Sequence, residues 1–389
     1  MRILWHSNAP WAKTGYGTQT ALFAPKIAEL YDLALSANYG LNGGNIEWQG
    51  LKVYGGSVDS YGNDVLPAHA SDWFGGDLNA GWVLILYDAW CFQTPALGEL
   101  NVAVWVPVDH IPAPPMVSSF FRRFGALPIA MSKFGRDQFD RLGIDSLYVP
   151  HGIDTDIFRP LDKAGSRRLL GIPEDAFVVG MNAQNKGRTP NRKAFPEVFM
   201  AFSEFAKTHS DAVLYLHTES QGHYQGLDLE QLSDTFGISD RVLFVDQYEY
   251  RQGLPAEMIA ATYSALDILA NPSHGEGFGI PIVEAQSCGV PVLVSDHSSM
   301  PELVGAGWIA GGEPLWDDPL QSFYIQPSAK AIYECLLDGY ASQGTHGLKA
   351  RTFALQYDAN YVWDTFWLPA LADLEERWNP AAHPRLVAA

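Results

Sequence analysis

The sequence predicts an α/β protein built from two doubly wound, Rossmann-like domains that face each other across a cleft. Three observations carry this. Apolar runs of strand length alternate with helical patterns along most of the chain. The alternation starts twice, at Met1 and again at Phe177, each time with a strand that runs into a polar loop. The chain has 389 residues with 47% hydrophobic content, enough for two sizeable cores.

The first half opens with a short buried strand, Met1 to His6, then a polar turn, then the helical spacing of Leu22, Phe23, Ile27 and Leu30. Gly15 and Gly17 in that turn form only a fragment of the dinucleotide fingerprint, because no third glycine follows. A tight turn and a ligand-contacting turn both fit. Residues 31 to 81 read as short strands in long loops. Clear strands return at Trp82 to Tyr87 and Val102 to Val108. The second of these ends in Asp109 and His110, where open α/β sheets present ligand-contacting groups. Residues 117 to 142 mix phenylalanines with arginines and lysines. In so acidic a chain they read as ordinary helix faces rather than a membrane anchor. Asp154 and Asp156 have the spacing of a cation-holding pair, but a turn-capping role suits an interdomain stretch better.

The second half begins with the strand at Phe177 to Met181, and its loop concentrates charge. Lys186, Arg188, Arg192 and Lys193 are four of the chain's 25 basic residues within eight positions. An arginine fork with a lysine point charge suits a diphosphate and the charge it gains on leaving. A helix from Phe195 to Phe205 follows, and a strand at Val213 to His217 ends in His217, Glu219 and His223. Those three lack the helix-borne spacing of a metal site. The densest signal is 265-ALDILANPSHGEGFGIPIVEAQSCGVPVLVSD-296, which reads as strand, glycine loop, helix, strand. Gly275, Gly277 and Gly279 let the backbone approach a ligand closely. The helix N-terminus that follows is a natural anion site. Glu276 in the loop and Glu284 eight positions on in the helix are suited to accept hydrogen bonds from hydroxyls. Ser299, three residues before Glu302, has capping-box spacing.

This stretch resembles the retaining nucleotide-sugar glycosyltransferases of family 4. Their signature is two glutamates separated by seven residues with Gly-Phe-Gly after the first, matched here by Glu276, Gly277, Phe278, Gly279 and Glu284. Residues 147 to 158 and the Pro-Glu-Leu-Val segment at 301 to 304 resemble the family too. The Gly187-Arg188 and Lys193 spacing fits its Gly-Arg, four residues, Lys pattern, but in a longer loop, so either Arg188 or Arg192 could take the arginine's part. The resemblance implies the GT-B architecture and transfer of a sugar to an acceptor hydroxyl with retention of configuration and without a metal. It implies that Glu284 accepts the ribose hydroxyls and Glu276 those of the sugar. Lys193, Arg188 or Arg192, and the amides of Gly277 to Gly279 would stabilise the diphosphate. It also implies that the loop of Gly15 and Gly17 lies beside the donor diphosphate and acceptor, and that His110 contacts the transferred sugar, oriented by Asp109.

The expected domains are 1–172 on the acceptor side, 173–355 for the donor, and 356–389 returning to the first domain. No cofactor is expected beyond the donor substrate, a UDP- or GDP-sugar, and the acceptor could be a glycan, lipid, small metabolite or protein. A net charge of −19 argues against nucleic acid. Three scattered cysteines and the absence of a long apolar run fit a cytoplasmic protein, with peripheral membrane contact not favoured. The other readings are a two-carboxylate glycoside hydrolase, a dinucleotide-dependent oxidoreductase and a non-catalytic carbohydrate-binding protein.

Overall fold

The structure, a computed structural model, describes residues 1–187 and 190–378. They divide into two units. The first comprises 1–152, 319–322 and the segment from Ala359 onward; the second comprises 153–318 and 323–358.

The first unit is built on an eight-stranded sheet. Its strands are β1 (Arg2–Asn8), β2 (Asp32–Tyr39), β3 (Asn45–Trp48), β4 (Leu51–Tyr54), β5 (Gly81–Leu86), β6 (Val102–Val106), β7 (Leu127–Ala130) and β8 (Leu147–Tyr148), in the order β3-β4-β2-β1-β5-β6-β7-β8. All pairs are parallel except β3 with β4. Residues 3 to 8 of β1 are all buried because helices cover both faces of a parallel sheet, so the strand shows no alternation. The chain crosses from β2 on one side of β1 to β5 on the other, which makes the carboxyl end of β1 a topological switch point.

Gly15–Ala28 is the helix after β1. Thr14 caps it, its hydroxyl accepting from the Gly17 N–H at 3.0 Å. A Cβ on Gly17 would lie 2.3 Å from the Ala12 carbonyl oxygen, so the helix and its own entry loop can meet only at a glycine. Behind the helix an aromatic cluster fills the core: Trp5, Phe23, Trp105 and Trp367 have ring centroids 4.9 to 6.2 Å apart. Trp367 comes from the C-terminal segment, which is further tied in by the Trp82 indole N–H donating to the Leu374 carbonyl at 2.9 Å.

Six parallel strands form the second unit's sheet: β9 (Phe177–Asn182), β10 (Ala212–His217), β11 (Val242–Phe244), β12 (Ile268–Asn271), β13 (Val292–Ser295) and β14 (Gly307–Ala310). Their order is β11-β10-β9-β12-β13-β14, with the switch between β9 and β12. A two-stranded extension follows, β15 (Gly312–Asp317) and β16 (Ser322–Pro327). The helix Phe195–Ala206 packs on the sheet through Phe195, Val198, Phe199, Phe202 and Phe205, all fully buried, as its 3.6-residue spacing predicts.

The structure's two units part at 152/153, whereas the sequence places the boundary after residue 172. The helix Lys163–Leu170 joins the second unit through a buried ion pair. Arg167 donates to Asp267 at 2.8 Å and to the Ala265 carbonyl at 3.0 Å, while Asp267 also accepts from the Val178 N–H at 2.7 Å. A residue pairing 100 positions away leaves no local mark in the sequence. Asp154 accepts from the N–H groups of Asp156 and Ile157 at 3.0 and 3.1 Å, a turn cap formed by its own backbone.

Candidate active site

The second unit's site grows from the loop between β12 and the helix Ile280–Ser287. Pro272 ends the strand, and Gly279 precedes the helix at φ +111°, a conformation that L side chains rarely adopt. Three serines shape the loop in between. The Ser298 hydroxyl accepts from the Glu276 N–H at 2.9 Å. Ser299 Oγ lies 2.8 Å from the Glu276 carbonyl oxygen and 2.6 Å from that of Phe278, its proton shared between them. Ser273 Oγ donates to Glu276 Oε1 at 2.6 Å. The capping-box expectation for Ser299 is therefore corrected: its side chain closes the glycine loop, because two buried carbonyls there need a donor more than a surface helix end does.

Glu276 is only 8% exposed, yet charged. Burial alone would push its carboxyl upward, but Lys193 and Arg192, with the Ser273 hydrogen bond, outweigh that and bring it down to about 2. Lys193 Nζ bonds Oε1; Arg192 Nη1 lies 3.2 Å from Oε2 and 2.5 Å from the Gly275 carbonyl oxygen. Two cations meet this one carboxylate, beside the positive end of a helix dipole. Arg192 joins Lys193 at the glycine loop, and Arg188 lies outside the described residues. Asn191 helps shape the turn, donating to the Gly187 carbonyl at 2.8 Å, and Ala194 takes a left-handed φ of +56° just before the helix that follows.

Glu284 sits in a different environment. It is 9% exposed with no cation against it among the described residues, and burial pushes its carboxyl up to about 7, the Tyr263 hydrogen bond only partly offsetting this. The Tyr263 hydroxyl donates to Glu284 Oε2 at 2.7 Å and accepts from Asn182 Nδ2 at 2.7 Å. The carboxyl end of β9 and the helix Ala256–Ala265 thus feed one hydrogen-bonded chain toward Glu284. Sequence reasoning missed Tyr263, Asn182, Ser273 and Ser298. Tyr263 and Asn182 looked like ordinary helix and strand-end residues, and no local pattern announces a partner 81 residues away.

The second unit brings together Arg192, Lys193, Glu276, Gly277, Phe278, Gly279 and Glu284, whereas Gly15, Gly17 and His110 belong to the first. Phe278 is buried, edge-on to Tyr357 at 5.6 Å, so its ring serves the loop's packing. His110 is fully buried beyond the end of β6, its Nδ1 2.7 Å from Asp109 Oδ1. Gly15 is the first residue of its helix and exposed; Gly17 is the buried contact described above. Glu219 accepts from the backbone of Gln221 and His223 and from His223 Nδ1, which makes that group a turn. Among the described residues no group of three His, Cys, Asp or Glu is arranged to hold a metal, and no helix is long and apolar enough to cross a membrane.

Comparison with known proteins bears on this geometry directly. Residues 185–319, which span the basic loop, both glutamates and the three serines, match the family of glycosyl transferases group 1. The match covers 135 of the chain's 389 residues, so it is the segment bearing this site that is similar to group 1 glycosyl transferases. Similar proteins include the D-inositol 3-phosphate glycosyltransferases of Geodermatophilus obscurus, 34% identical over 170 residues, and Mycolicibacterium smegmatis, 34% over 169. Those matches cover 41% and 43% of this chain but only 35% and 36% of the relatives' own length. Solved structures match end to end. Sucrose-phosphate synthase from Thermosynechococcus elongatus has a TM-score of 0.70 at 18% identity, covering 98% of this chain and 100% of that one. HepE of Anabaena, solved with UDP-glucose, has a TM-score of 0.67 at 16% identity, covering 96% and 100%. The matched segment lies within a chain whose fold is that of GT-B glycosyltransferases, two Rossmann-like units.

Proposed function

We propose that the protein transfers a sugar from a nucleoside-diphosphate sugar to an acceptor hydroxyl, with retention of anomeric configuration and without a metal ion. The observation that carries the reading is the pairing of Lys193 and Arg192 with Glu276 in the glycine loop, with Glu284 nearby in sequence but electrostatically apart. A diphosphate entering this loop would draw on Lys193, Arg192 and the helix N-terminus. Glu276, already ionised, accepts hydrogen bonds from the sugar hydroxyls, and Glu284 accepts those of the ribose. The acceptor oxygen attacks the anomeric carbon as the bond from that carbon to the diphosphate oxygen breaks. The acceptor's proton passes to the departing diphosphate on the same face, so no protein base is required. Lys193 and Arg192 stabilise the charge the diphosphate gains. The reading gives His110, oriented by Asp109, a contact with the transferred sugar.

Thermal shift with UDP-, GDP- and ADP-sugars, with and without EDTA, tests the donor site. UDP-glucose comes first, since the same fold in HepE is solved with it. Stabilisation that survives EDTA and is lost in Glu284→Ala is the expected result. Absence of stabilisation by any of them sinks the donor assignment, and loss with EDTA sinks the metal-independent step.

A further inference from the structure

Beneath the glycine loop lies a polar cluster to which the reading above gives no role. His274 is two residues before Glu276, and its side chain is 1% exposed. Glu197, in the first turn of the helix that begins two residues after Lys193, is 13% exposed and its Oε1 lies 3.7 Å from His274 Nε2. Gln326 on β16 donates to the same Oε1 at 2.9 Å. The backbone of His274 is gripped on both sides: its N–H donates to the Arg192 carbonyl at 2.8 Å, and its carbonyl accepts from the Ile325 N–H at 3.2 Å. Both ring nitrogens of His274 and Oε2 of Glu197 are buried without a hydrogen-bond partner. Three such atoms in one spot are costly, and an apolar pair of similar volume would pack there at less cost.

We infer that Glu197 and His274, braced by Gln326, are positioning residues that set the distance between Lys193 and Glu276. The argument is one of connection. Glu197 is rigidly joined to Lys193 through a four-residue step that includes the left-handed Ala194, and His274 is joined to Glu276 through Gly275. The Glu197–His274 pair therefore spans the same two segments that the Lys193–Glu276 pair spans, one layer deeper. When a diphosphate draws Lys193 and Arg192 toward itself, the deeper pair keeps the two segments in register, so that Glu276 stays on the sugar. The pair has no part in the ribose site, which rests on Tyr263 and Asn182.

This inference rests on the donor reading, and its test separates the two. Glu197→Gln, His274→Asn and the double variant are compared with wild type for turnover, for affinity toward the nucleoside diphosphate alone and toward its sugar form (UDP and UDP-glucose as first probes), and for Tm. The expected result is a kcat lower by about 10- to 100-fold with a nucleoside-diphosphate Kd within about twofold, because misplacement by a fraction of an ångström is felt at the reacting sugar. The double variant should be no worse than the worse single one, the mark of residues acting as one unit. Variants that keep wild-type turnover overturn the inference. So do variants in which kcat, nucleotide affinity and Tm fall together, since that is a merely structural role. A wild type that binds no nucleotide overturns the donor reading and this one with it; a wild type that binds nucleotide and whose variants match it in turnover overturns this one alone.

Discussion

The proposed role of Glu284 as the ribose acceptor predicts a pH-dependent donor affinity whose sign and size follow from its surroundings. Its carboxyl is pushed from 4.5 to about 7 by burial, so in the ligand-free protein it is protonated below neutrality and ionised above. Ribose hydroxyls that donate to it favour the ionised form and return its pKa toward the ordinary range, so binding expels a proton. For a free pKa of about 7 and a bound pKa well below 6, affinity rises about tenfold from pH 6 to pH 8 and flattens beyond, with roughly half a proton released per binding event at pH 7. The assay is isothermal titration calorimetry in buffers of different ionisation enthalpy. The ligand must be the intact nucleotide sugar, because a free terminal phosphate has its own pKa of about 6. Glu276, held at about 2, stays ionised throughout this window. Glu284→Gln removes the titrating group and should abolish the slope. Affinity that is flat or falls with rising pH in the wild type, or a slope that persists in the variant, refutes Glu284 as the ribose acceptor. The same shift acts on folding with the opposite sense. A carboxyl raised on folding binds its proton more tightly in the native state, so its contribution to stability is greatest below about 4.5 and is lost as pH rises through about 7.

Lys193→Ala should lower turnover by about 100-fold or more, since a preorganised charge at the leaving group is worth about 2.7–4 kcal/mol; steady-state kinetics with a saturating donor check it, and turnover near the wild-type value would remove Lys193 from the mechanism. Gly17→Ala forces a Cβ to within 2.3 Å of the Ala12 carbonyl and should cost about 3 kcal/mol, read as a drop in the urea midpoint. An unchanged midpoint would mean that the entry loop yields and that Gly17 is there for a ligand. Trp367→Ala removes a fully buried indole from the cluster with Trp5, Phe23 and Trp105 and should cost about 3–5 kcal/mol. Native-state hydrogen exchange should then rise in β1 and β6 of the first unit; exchange that stays at wild-type levels there would show that the C-terminal segment does not support that core.

Much of this protein is legible in one dimension. The alternation of strand and helix, the restart near Phe177, the strand–glycine loop–helix at 268–287 and the paired glutamates are local patterns, because the pleat and the helical turn repeat over a few residues. The chemistry of Glu276 and Glu284 is not local. Both are glutamates in one loop-helix stretch, and the sequence assigns both to hydroxyls. Only folding sets their carboxyls apart, near 2 and near 7, because Lys193 and Arg192 arrive from a loop 83 residues earlier to meet one of them, while the other is buried against the Tyr263 hydroxyl. The serines that pin the loop, the tyrosine against Glu284 and the boundary at 152/153 were silent for the same reason. Each is a pairing across dozens of residues, and a sequence read along the chain records which groups are present but not which of them meet. What the sequence by itself determined is the order of elements and the inventory of charged groups. What tertiary structure alone decided is the partner of each charge, and with it which carboxylate is ionised at neutral pH.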